Sequence, residues 1–130
     1  MNSSAEEWLK HAKDDKDAAE NLIHLDYLSN IVAWHCQQCV EKSFKAMMEH
    51  FKMDIIHTHD LLKLHRLIEN KLNFKIEEPS LIEMNEIYSE TRYPSLAGNM
   101  PYGKPSTEEA RDFLSFAEYI YDNISSQVRN

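Results

Sequence analysis

At 130 residues, with 42% hydrophobic and 28% charged side chains, the chain fits one compact domain over 1–130. A chain of this size can bury a core without disulfide or metal staples, and 2 cysteines make no disulfide framework. Its 2 glycines and 4 prolines exclude sandwiches, barrels and doubly wound sheets, which need turn residues at short intervals. A net charge of −8 argues against a general grip on nucleic acid, which depends on neutralising phosphates, and leaves room for a local basic face.

An all-α protein remains. The turn residues Pro94, Gly98, Pro101, Gly103 and Pro105 cluster in one elaborate loop. No apolar stretch follows Met1 and no apolar run is long enough to span a bilayer. Neither export nor membrane insertion is expected, and a cytoplasmic protein is.

The first helix should open at Ser3 or Ser4, where Ser3 with Glu6 or Ser4 with Glu7 can form a capping box. Ala5, Trp8, Leu9, Ala12, Ala19, Leu22 and Ile23 give it an apolar face, and Asp14-Asp15-Lys16-Asp17 reads as its solvated side. Residues 28–40 carry no formal charge, which marks the most buried helix. That second helix, 29–51, takes its inner stripe from Val32, Cys36, Cys39, Val40, Met47 and Phe51. Glu41, Lys42, Lys45 and Glu49 fall on its wetter side, and Trp34, Phe44 and Met48 extend its apolar surface beyond one bundle face. That excess predicts a homodimer.

Thr58 or Asp60 can cap a third helix with Leu61, Leu64, Leu67, Ile68 and Leu72 as its stripe. Pro79 suits the first position of a fourth, which carries Leu81, Met84, Ile87 and Tyr88. Thr107 with Glu108 and Glu109 opens the last, with Ala110, Phe113, Leu114, Ala117, Ile120, Tyr121 and Ile124 inward. The fold expected is an up-and-down helical bundle of about five helices, a four-helix core plus one short helix.

Several groups carry possible chemistry. Cys36-Gln37-Gln38-Cys39 has redox or zinc spacing, but inside a buried helix with no second pair it reads as core. His57, His59 and Asp60, with His65 further on, offer a weak metal set; ligand count alone argues for no metal and no cofactor. Gln38, Lys42 and Lys45 share one helix face that can take phosphate or carboxylate. Around them, Lys42, Lys45, Lys52, Lys63, Arg66, Lys71 and Lys75 outnumber Glu49, Asp54, Asp60 and Glu69. Arg92 precedes Tyr93-Pro94, so it is held at a helix end beside the long loop.

Trp8 and Ala12, the run Cys36 to Ala46 with its Gln37-Gln38, Glu41-Lys42 and Lys45, Thr58-His59-Asp60-Leu61, and Arg92-Tyr93-Pro94 together resemble the HEPN domain (higher eukaryotes and prokaryotes nucleotide-binding). The resemblance spans nearly the whole chain. It implies a helical bundle that pairs as a homodimer, in many relatives beside a small nucleotidyltransferase in prokaryotic toxin–antitoxin pairs. Active members are implied to be metal-independent ribonucleases, with an arginine and a following histidine from each protomer in one cleft. Arginine stabilises charge on the phosphoryl group and histidine moves the proton.

Arg92 matches the arginine, but the histidine window holds Ala97, Gly98 and Asn99. Asparagine is no general base near neutral pH. Tyr102 is the nearest counterpart of a tyrosine that the partner transferase modifies in some relatives, at a poorly matching spacing. The reading is a catalytically degenerate nucleotide- or RNA-binding or partner subunit, with Gln38, Lys42, Lys45, His59, Asp60, Arg92, Tyr93, Asn99 and Tyr102 as its binding residues. The alternative is a ribonuclease toxin that pairs Arg92 with a displaced histidine, His59.

Overall fold

The computed structural model describes residues 3–92 and 104–130, and for 87–92 the backbone alone. Five α-helices run in order: α1 (Ser3–Leu22), α2 (Ser29–His50), α3 (Leu61–Ile68), α4 (Glu78–Arg92) and α5 (Thr107–Arg129). Short 3-10 turns, Asp26–Leu28 and Glu69–Lys71, precede α2 and follow α3. No strand occurs among the described residues, so the expected all-α bundle is the architecture found.

Helix α2 is the axis of the bundle and packs against α1, α3, α4 and α5. Ala5, Ala12 and Ala19 recur along the inner face of α1 and are fully buried. Small side chains at that spacing let two helices approach closely along their length. Cys36, Cys39, Val40, Phe44 and Met47 of α2 fill the centre, and Ala117, Ile120 and Ile124 of α5 close it from another side. Burial pushes both thiols up, Cys39 to about 12 and Cys36 further, so neither is a nucleophile at neutral pH.

Several local expectations are corrected. The opening of α1 at Ser3 is as expected, and the corrections lie elsewhere. α5 opens at Thr107 as expected, and Ser106 caps it: its hydroxyl accepts from Glu109 N at 3.0 Å while Glu109 Oε1 accepts from Ser106 N at 2.9 Å. Thr107 instead donates its hydroxyl to Asp26 at 3.0 Å. Leu67 is 41% exposed because α3 is too short to bury more than one stripe, and Phe51 lies past the end of α2, also exposed.

Phe44 and Met48 are core residues of a single chain, since α2 is covered on nearly all sides. They leave no surplus face for a partner. The outward apolar residues lie at the other end of α2: Tyr27, Ile31 and the half-buried Trp34.

The C-terminus of α2 needs a left-handed residue, and the sequence supplies lysine. Met53 N donates to Met48 O at 2.9 Å, a six-to-one closure of the Schellman type. Lys52 sits between them at φ 55°. A Cβ there is unfavourable, whereas glycine adopts this geometry freely. Lys52→Gly should therefore raise unfolding stability by about 0.5–1 kcal/mol in urea denaturation, after its own greater unfolded-state entropy is subtracted.

Candidate functional site

Gln37, Gln38, Glu41, Lys42 and Lys45 of α2 do not form a solvated face. They are drawn into two buried clusters that tie α2 to its neighbours. In the first, Asp15 of α1 is only 6% exposed. Lys42 Nζ donates to its Oδ2 at 2.6 Å and His35 Nδ1 meets its Oδ1 at 2.8 Å. The acidic run around Asp15 therefore contains one buried anchor, and the solvated reading holds for its neighbours alone.

The second cluster centres on Glu41, buried in the middle of α2. Its Oε2 accepts from Lys45 Nζ at 2.8 Å. Its Oε1 meets His59 Nδ1 at 2.8 Å and accepts from Gln37 Nε2 at 3.3 Å. Gln37 Nε2 also donates to the His59 carbonyl at 3.2 Å, and Gln38 Nε2 donates to Gln37 Oε1 at 2.7 Å. Burial by itself pushes the Glu41 carboxyl up; the hydrogen bonds from Lys45 and His59, with Lys45's charge, outweigh it and hold the group below the usual carboxylate range. An ionised Glu41 can only accept, so His59 Nδ1 carries the proton of that bond.

The chain of contacts continues into α4. Asp60 caps α3, accepting from Leu62 N and Lys63 N, and its Oδ1 also accepts from Asn85 Nδ2 at 2.9 Å. Asn85 Oδ1 accepts in turn from Leu61 N at 3.0 Å. Arg92, the last residue of α4, follows Asn85 by two turns on the same side of the helix.

A groove of about 620 Å³ opens between α1 and α2 beside these clusters. Its wall includes Trp8, His11 and Lys42, with Glu7 and Glu49 opposing the cation. Lys45 Nζ lies 5.5 Å from the centroid of the Trp8 ring, a cation–π contact that fixes the indole at the groove's edge.

The structure thus brings Gln38, Lys45 and His59 into the Glu41 cluster and sets Asp60 next to it at the α3 cap, whereas Lys42 is joined to Asp15 in the other cluster. The Arg92 side chain, Tyr93, Asn99 and Tyr102 lie outside the described residues. Sequence reasoning missed Asp15, His35 and Asn85, and it set Glu41 on the wetter side of α2 although it is buried. Gln37 and Glu41 at i and i+4 were a usable signal; the partners on α1 and α4 were not, because they are fixed by packing. His57 is exposed, while His59 and Asp60 are committed to Glu41 and the α3 cap, so these three do not converge as a metal set.

A lowered carboxyl pKa in the folded state contributes stability above the ordinary carboxylate range and loses it as pH falls through the folded value. Urea unfolding of the wild type should weaken as pH drops below about 4.5. Glu41→Gln should be destabilised by about 3 kcal/mol at pH 7, by unpairing buried Lys45, and should show a flatter acid limb.

The model of the HEPN domain family matches residues 5–127. The fold resembles that of TT1696 from Thermus thermophilus, with a TM-score of 0.78 at 22% identity, covering 97% of this chain and 98% of that one. It also resembles ST0689, an archaeal HEPN homologue, with a TM-score of 0.72 at 19% identity over 95% of this chain and 97% of that one. Among curated proteins none matches. No described helix is long and apolar enough to cross a membrane. With its helical core built on α2 and a match that spans nearly its whole length, the chain belongs to the HEPN-domain family.

Proposed function

We propose that this HEPN protein is a catalytically degenerate nucleotide-binding subunit. In this reading it acts as a single cytoplasmic domain, pairs as a homodimer, and works with a small nucleotidyltransferase in a toxin–antitoxin-like pair. The observation that carries the reading is the α1–α2 groove, where Trp8 offers a stacking face beside the Lys42 ammonium and the His11 imidazole. Glu7 and Glu49 on the same wall suit one nucleotide better than the continuous phosphates of a long RNA. The absence of a histidine in the window after Arg92 supports a binding role over a cleaving one. Ile31, Tyr27 and Trp34 are the apolar surface that favours pairing of two copies.

One observation favours a second reading. Glu41 holds the His59 imidazole by Nδ1 at 2.8 Å, the way a carboxylate orients a general base, and His59 keeps half its side chain exposed. With Arg92 from the partner protomer, such a histidine would serve a ribonuclease.

Tryptophan fluorescence separates these readings. In Trp34→Phe, where Trp8 is the remaining reporter, titration with ATP should quench emission, and Lys42→Gln should weaken the response at least tenfold. Light scattering should give twice the chain mass of 15.3 kDa. An unchanged Trp8 signal, together with isolation from the host free of nucleotide and of a second protein, would overturn the binding reading. RNA cleavage that vanishes in both Arg92→Ala and His59→Ala would establish the second.

A further inference from the structure

The joint between α3 and α4 forms a second cleft, of about 560 Å³, away from the α1–α2 groove. His65, Glu69 and Glu78 line it, with Leu72, Phe74 and Ile76 behind them. His65 is 2% exposed, its ring packed on Phe44 with centroids 6.2 Å apart. Its Nδ1 is buried without a hydrogen-bond partner. Glu78 Oε2 stands 3.7 Å away, too far for a hydrogen bond.

Glu69 follows His65 by one helical turn, and a ring nitrogen of His65 and one oxygen each of Glu69 and Glu78 lie within 4.8 Å of one another. Glu69 also sits directly after the C-terminus of α3, where the helix dipole disfavours a carboxylate. An unsatisfied imidazole nitrogen and a carboxylate that the α3 dipole disfavours thus converge with Glu78, which opens α4 where the dipole suits it and which Arg66 holds at 3.4 Å. A cation between them answers the first two.

The chemistry of the donors selects among cations. One imidazole nitrogen with two carboxylate oxygens suits a first-row transition metal, while calcium and magnesium favour oxygen alone. Donors around a tetrahedral zinc ion stand roughly 3.3 Å apart, so closure asks the two carboxylates to move inward by about 1 Å or more. Both can do so. Glu69 is exposed, and Arg66 holds Glu78 only through long contacts of 3.4 Å.

The backbone between the acids is anchored instead. Gln127 Nε2 donates to Lys71 O at 2.6 Å, and its Oε1 accepts from Asn73 N at 3.0 Å. Tyr119 donates its hydroxyl to Lys75 O at 2.8 Å.

We propose that His65, Glu69 and Glu78 bind a divalent transition-metal ion, with Zn²⁺ the best fit, and leave one coordination position for water or a ligand entering the cleft. The full chain, stripped with EDTA, is titrated with Zn²⁺ against a chromophoric chelator, and with Co²⁺ for its visible absorption. One ion per chain is expected, with a cobalt spectrum of tetrahedral type.

Glu69→Gln and Glu78→Gln should each weaken binding at least tenfold, whereas His57→Gln should leave it unchanged. Without metal, Glu69→Gln should melt no lower than the wild type, and Zn²⁺ should raise the melting temperature of the wild type alone. His65→Gln removes a buried ring, so the exposed Glu69 keeps the test independent of folding. No stoichiometric ion, affinity unchanged in both glutamate variants, or loss of binding in His57→Gln would overturn the proposal.

Discussion

A buried carboxylate in the middle of the central helix sets the constraint on which the rest depends. Glu41 is removed from water on an element that packs against every other helix, so its charge must be met from inside the molecule. Lys45 and Gln37 meet it along α2, and His59 meets it from the connection that leads into α3. That settlement fixes where the chain goes after α2. Asp60 is then in place to cap α3 and to take the amide of Asn85, which positions α4 and hence the backbone of Arg92. The polar string from Gln37 to Lys45 thus works first as an internal strut.

The same reasoning locates the surface left for function. Alanines along α1 bring it close to α2, and Asp15 crosses between them to hold Lys42. With Lys42 and Lys45 both neutralised inside the chain, basic side chains near α2 do not add up to a polyanion surface. What they create is a groove with an ordered indole at one edge and a paired ammonium beside it. On the proposed reading this groove is where a small ligand with one flat face would lie.

How far the sequence could be read follows from which interactions are local. The helices were legible because stripes such as Ala110, Phe113, Leu114 and Ala117 are set by one helix's own period. The α3 cap was legible for the same reason as one of two residues, Thr58 or Asp60, and Asp60 holds it. Residues whose roles come from another element were not: Asp15 looks like its charged neighbours until α2 brings His35 and Lys42 to it. Phe44 and Met48 looked like a surplus face because a sequence does not show that α2 is surrounded. Half of the α3–α4 cleft was visible as His65 and Glu69 one turn apart, but Glu78 arrives through the fold.

The claim that Glu41 couples the central helix to the following connection is tested most directly by a double-mutant cycle. Urea unfolding at pH 7 is measured for the wild type, Glu41→Gln, His59→Gln and the double variant. Coupling through the bond at 2.8 Å predicts an interaction energy of about 1 kcal/mol or more between the two positions. Additive effects, within about 0.3–0.5 kcal/mol, would contradict it.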